Sequence, residues 1–215
     1  MGVAIETLKT EHRAIKRMLD VLDAICGRLR TGERIDPAHL NQIIKFFQEF
    51  ADRCHHGKEE EIFFPALEMA GIPKEGGPIG VMLYEHDKMR GQMDGLTEAA
   101  GRYQAEDTSA GADIVRHALD YAATLRSHIE KEHHALFTMA EAHLSPQEER
   151  ELAERFEALE AERMGTGTHE KLHALLDQMQ GFYLGDRSES GAESVAESGA
   201  ERRGKKKRNK ERGGE

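Results

Sequence analysis

The chain has 215 residues, 38% hydrophobic and 33% charged, with no Trp and a formal net charge of -10. That composition fits a helical protein with a modest core and room for a tail. The negative balance argues against general nucleic-acid binding by the folded part, and no apolar run approaches the roughly 20 residues of a membrane span. Met1-Gly2-Val3-Ala4-Ile5-Glu6 lacks the basic region and apolar core of a secretory signal. The two cysteines, Cys26 and Cys54, lie on or beside apolar helical stripes and read as reduced, buried thiols of a cytoplasmic protein.

In chain order, apolar residues three and four apart predict a first helix from about Val3 to Arg30, and His12 is the ionisable residue on its stripe. Gly32 suits a left-handed stop, and Asp36-Pro37 reads as N-cap and first residue of a second helix. That helix runs through Ile43, Phe47 and Ala51 into Cys54-His55-His56-Gly57-Lys58-Glu59-Glu60-Glu61-Ile62-Phe63-Phe64-Pro65. Its stripe is Phe47, Ala51, His55, Glu59 and Ile62, and Pro65 predicts a kink or an early end. The loop from Gly71 to Pro78 is rich in turn residues. A third helix follows with His86 between Met82 and Met89 on its apolar face. A fourth, after the turn at 106–109, carries Ile114, Ala118, Tyr121, Leu125, His128, Glu132, Leu136 (or Ala135) and Met139. Ser145-Pro146-Gln147-Glu148 starts a further, mostly charged helix that lasts to Met164, and His169 to Phe182 forms a short amphipathic segment. The fold expected is all-α. An up-down-up-down antiparallel four-helix bundle occupies 1–145, a helical extension over 146–183 packs on or beside it, and a disordered charged tail fills 184–215.

One imidazole on an apolar stripe is usually a core histidine bonded to a neighbour. Here the spacing His-x-x-x-Glu occurs twice, as His55/Glu59 and His128/Glu132, and puts each pair on one helix face. In an antiparallel bundle, residues equally far from a connecting loop lie at one height. His12 and His55 are 21 and 22 residues from a loop centred near Glu33, and His86 and His128 are each 21 from one near Asp107. At ~1.5 Å per residue, all four lie about 32 Å from their turns. His12, His55, Glu59, His86, His128 and Glu132 therefore converge on one layer. A structural zinc ion needs four ligands. Six mixed nitrogen and oxygen donors suit two carboxylate-bridged transition-metal ions instead, with iron preferred and manganese second.

This pattern, together with Cys-His-His-Gly-Lys-Glu-Glu and Phe-Phe-Pro, resembles the hemerythrin-like, or HHE cation-binding, family over residues 3 to 143. The resemblance implies a four-helix bundle around a non-haem di-iron centre. It also implies bridging roles for Glu59 and Glu132, with the four His as terminal ligands. The oxygen-carrying hemerythrins have a second His one turn before the third-helix His. Here that position is Met82, which leaves an open position or a substitute ligand. Tyr84, Tyr121, His56, His133 and Glu60 are the candidates, and simple reversible oxygen carriage is disfavoured.

Two classes of function are therefore expected. One is a binding, sensing or detoxifying module for oxygen, nitric oxide, peroxide or iron itself. The other is a di-iron enzyme with peroxidase- or catalase-like activity, or one that repairs iron centres. No output domain is visible, which favours a stand-alone role. His169-Glu170-Lys171-Leu172-His173 matches the zinc-protease pattern without a third ligand nearby, and an exposed helical face is the simpler reading. His39, His117 and His143 read as surface or packing residues, and the Met82, Met89, Met93 row as core. The basic run Lys205 to Lys210 reads as a solvated tail that could touch RNA or an acidic partner.

Overall fold

A computed structural model describes residues 2–107, 109–165 and 167–185. The expected tail, with its basic run, lies outside the described residues from 186 on, and Leu184, expected to begin it, is still helical. Six helices and no strand are found among the described residues. They are α1 (Val3–Arg30), α2 (37–69), α3 (Pro78–Gln104), α4 (110–143), α5 (Pro146–Met164) and α6 (Thr168–Leu184). No helix among them is long and apolar enough to cross a membrane.

The stops and starts follow local chemistry. Gly32 takes φ +81° after α1, where a residue with a side chain would be strained. The Asp36 carboxylate accepts from Ala38 N–H at 2.8 Å to cap α2. Ser145 and Glu148 cap α5 reciprocally, as the Ser-x-x-Glu spacing predicts.

Hydrogen bonds and ion pairs between side chains fix how the helices run. Asn41–Gln104, Gln48–Thr97 and Asp52–Arg90 join α2 to α3 with one number rising as the other falls, so the two are antiparallel. Glu85–Lys131, Gln92–Thr124 and Arg102–Asp113 do the same for α3 and α4, and Lys9–Glu141 and Lys16–Glu130 for α1 and α4. Helix α6 lies along α1, held by Arg17 to Asp177 and Gln180, and α5 packs on α1 and on the middle of α2.

Helices α2 and α4 are not uniformly wound. Wider turns occur at Phe47–His56 and Glu59–Phe63 in α2 and at Glu132–Leu136 in α4. There Gly57 N–H reaches Asp52 O, Phe64 N–H reaches Glu59 O and Phe137 N–H reaches Glu132 O, each five residues back. Such π-type turns gather at functional sites.

They correct two expectations. Pro65 does not end its helix, which continues to Met69, because the open turn just before it relieves the clash a proline ring makes with the preceding turn. Met139 is 40% exposed and off the core, whereas Phe137 and Ala140 are buried. The extra residue in the Glu132 turn slides the apolar stripe along by one.

The apolar interior is in two parts. One cluster includes Met18, Leu22, Phe47, Leu96 and Leu125. The other includes Ile5, Phe63, Met82, Leu136 and Phe156. Between them lies a layer of buried polar side chains.

Candidate metal centre

The structure brings His12, His55, Glu59, His86, His128 and Glu132 into that layer, each essentially without solvent exposure. His12 Nε2 faces Glu132 Oε2 at 3.1 Å, and His55 Nε2 faces Glu59 Oε1 at 3.3 Å. His86 Nε2 faces Glu59 Oε2 at 3.4 Å, and His128 Nε2 faces Glu132 Oε1 at 3.5 Å. Each carboxylate thus meets imidazoles from two helices. The approaches are close but lack hydrogen-bond direction. Both oxygens of Glu59 and of Glu132, and Nε2 of His12, His55 and His56, are buried with no hydrogen bond. Buried polar atoms are almost always paired, so this cluster of orphans is the signature of a cation-binding site.

Two overlapping groups could hold one. His12, His55, Glu59 and Glu132 present donor atoms within 4.8 Å of one another, as do His56, Glu59, His86 and His128. Glu59 belongs to both. His56 is the residue that sequence reasoning left among several substitutes. Its ring stacks on that of His86 with centroids 3.9 Å apart, while Met82 is packed in the apolar cluster below. The other substitutes have different places. Tyr84 is 70% exposed, and Tyr121 is buried against Phe47. Glu60 bonds His86 Nδ1, and His133 Nε2 lies 2.9 Å from His12 Nδ1. The wide turn explains His56. At more than four residues per turn, neighbours His55 and His56 both face inward. The run Phe47, Ala51, His55, Glu59 in strict steps of four was the available signal, since an α-helix stripe alternates threes and fours.

The far side of each ring is also held. His55 Nδ1 lies 2.8 Å from Glu11, His86 Nδ1 2.7 Å from Glu60, His128 Nδ1 3.1 Å from Glu85 and His56 Nδ1 3.3 Å from Asp52. Ionised carboxylates only accept, so Nδ1 donates and Nε2 turns its lone pair inward. This is the arrangement that fixes the tautomer of metal-binding histidines. Arg90 ties two of these carboxylates together, at 2.9 Å from Asp52 and 2.7 Å from Glu60.

Electrostatics agree. Burial and the adjacent His12 push His55 down to about 4. Burial and His86 hold His56 well below the usual range, and burial lowers His86. These three rings are neutral near pH 7, as ligands must be. Burial and the facing Glu132 push Glu59 well above the ordinary carboxylate range. Two carboxyl groups so close and so dry do not both ionise without a cation. Glu11 goes the other way. Burial pushes it up, but His55 and Lys58 outweigh that and bring it down to about 2.

The remaining histidines lie elsewhere. His173 is half-buried with its ring 5.7 Å from that of Phe50, and the side chain of His169 is outside the described ones. His39 rests on Phe182 and Tyr183, and His143 bonds the Met139 carbonyl. Cys26 and Cys54 are buried free thiols. A cavity of about 170 Å³ reaches His56, lined also by Phe47, Asp52, Met89, Arg90 and Tyr121.

A helical bundle with imidazoles and carboxylates converging on a dry layer of orphaned donors defines a protein built to hold cations inside the bundle. Residues 3–140 match the hemerythrin HHE cation binding domain, and the chain belongs to that family. It is similar to three curated proteins described as uncharacterized, one from Mycobacterium bovis and two from Mycobacterium tuberculosis. Each is 28% identical over 162 residues, which is 75% of this chain and 63% of the relative. The chain therefore spans less than two thirds of the length of those relatives. No solved structure matches it.

Proposed function

We propose that the layer holds two iron ions as a non-haem pair and that the protein binds, senses or detoxifies a small molecule there, such as oxygen, nitric oxide or peroxide. The carrying observation is the set of buried donor atoms of Glu59, Glu132, His12, His55 and His56 that have no hydrogen bond. Glu59 and Glu132 are assigned as bridges because each faces imidazoles of two helices. His12 and His55 would hold one ion, and His56, His86 and His128 the other. Mixed imidazole and carboxylate donors suit iron, with manganese second. Bound iron supplies one-electron redox chemistry and coordination positions open to small molecules. The chain's own part is to present neutral Nε2 lone pairs, fix the rings through Nδ1 and keep bulk water out. Metal analysis and an optical spectrum in air test this reading.

The cavity beside His56 supports a second reading, a peroxidase- or catalase-like enzyme. Its volume of about 170 Å³ leaves room for a small molecule next to His56. Peroxide turnover by iron-loaded protein separates the two. A cytoplasmic setting fits the two free buried thiols.

A further inference from the structure

Helix α5 begins at Pro146, beyond the residues that match the family, yet it reaches the centre. Lys58, next to Glu59, has no solvent exposure. A buried ammonium is costly unless it is paired and hydrogen-bonded. Its Nζ donates to Glu11 and, at 2.5 Å, to Glu160 of α5. Glu11 accepts from His55 Nδ1 through its other oxygen. Glu160, Lys58, Glu11 and His55 thus form one unbroken chain of charge-assisted contacts that ends at an inward-facing Nε2.

A second contact lies one turn further along α5. Arg163 Nη1 donates to the Arg53 carbonyl at 2.7 Å, and Arg163 also pairs with Glu61. The Gly57 N–H reaches the carbonyls on either side, Asp52 and Cys54, so Arg163 serves the carbonyl between them in the open turn. Arg163 crosses so closely that a Cβ on Gly57 would lie 2.2 Å from its Nη1. The glycine inside His55-His56-Gly57-Lys58-Glu59 is the floor on which α5 docks.

We infer that Glu160 is a positioning residue for the metal centre, acting on His55 through Lys58 and Glu11. The inference rests on the paired-metal reading. With Glu160 present, Lys58 is shared between two carboxylates and Glu11 keeps its charge for His55. Without it, Lys58 draws on Glu11 alone, and His55 loses both basicity and orientation. The partner behind a ligating histidine typically changes metal affinity by about 10-fold to 100-fold.

The test uses the full chain, loaded with Fe(II) under anaerobic conditions and titrated against a chromogenic chelator. Wild type, Glu160→Ala, Glu11→Gln and the double variant are compared. Glu160→Ala is expected to reach the same iron content at saturation with about 10-fold weaker affinity, and to shift the visible bands of the Co(II)-loaded protein. In the Glu11→Gln background the same change is expected to add little, because the chain is already broken. Should Glu160→Ala melt below wild type as apo protein, Glu160→Gln, which removes the charge and keeps the shape, is expected to weaken affinity in the same direction. Wild-type affinity in both Glu160 variants overturns the inference, as does a Glu160→Ala effect that multiplies in full with Glu11→Gln. If wild type takes up no metal, the paired-metal reading itself has failed; if wild type loads fully and the Glu160 variants match it, only the positioning role has.

Discussion

Both halves of the site depend on the two proposed bridges, Glu59, which belongs to both donor groups, and Glu132, which faces His12 of one group and His128 of the other. Glu59→Ala is expected to abolish paired loading, whereas His12→Ala or His86→Ala removes one donor to one ion and leaves partial occupancy. His56→Ala should behave like His86→Ala, and Met82→Leu, which changes only the apolar cluster, should load like wild type. His173→Ala should also load fully, since its ring rests on Phe50. Iron per chain, measured side by side, decides all of these; a His173 variant that loses as much iron as Glu59→Ala would contradict the placement of the layer. The pH dependence of the apo protein follows from the same residues. His55 is lowered to about 4, as is His133, which is pushed down first by burial and then by His12. A lowered imidazole contributes stability that is present above its unfolded value near 6.5 and lost as pH falls toward 4. Glu11, lowered to about 2 from 4.5, contributes stability lost as pH falls through that lower window. Glu59, raised by burial and Glu132, runs the other way. The imidazoles outnumber it, so the apo melting temperature should fall as pH drops from 6.5 to 4. A flat profile in thermal melts over that range would contradict burial of neutral rings.

At the scale of helices, glycine substitutions test whether α5 docks on the site. Gly91 is exposed on α3 with nothing near an added Cβ, while Gly57 lies under Arg163. Gly91→Ala should stabilise by roughly 0.5–1 kcal/mol through helix propensity. Gly57→Ala should forfeit that gain, because Arg163 must leave the Arg53 carbonyl and Glu61. Equal gains in denaturant midpoints would show that Arg163 is not held there. The helices themselves were readable from apolar spacing, caps and loop residues; equal distances from two loops placed four of the donors, the histidines, at one height, and the i,i+4 spacing put Glu59 and Glu132 one turn beyond. What the spacing could not show was the winding. A template of 3.6 residues per turn put Met139 in the core and left His56 as one substitute among several, although the steps of four from Phe47 to Glu59 carried the information. The carboxylates behind the rings were also out of reach. Glu11 serves His55 of another helix, Glu85 serves His128 and Glu160 comes from α5, and such pairings exist only once helices are packed.

For the whole molecule, the polar layer separates two apolar clusters, so its state bears on how firmly both ends of the bundle are joined. Buried donors without a partner cost free energy that a bound cation removes, and a ligand that binds only the native state stabilises it by mass action. The holo protein should therefore melt above the apo protein at neutral pH, and acid should release the metal as the imidazoles take up protons. Equal melting temperatures would count against buried donors. The most direct test of the paired centre is the metal content of the full chain after anaerobic loading with Fe(II) and removal of loosely held ions. About two iron ions per chain are expected from a site with seven nitrogen- and oxygen-bearing residues in two groups that share Glu59. A single tightly held zinc ion with no iron, or no metal at all, would contradict it.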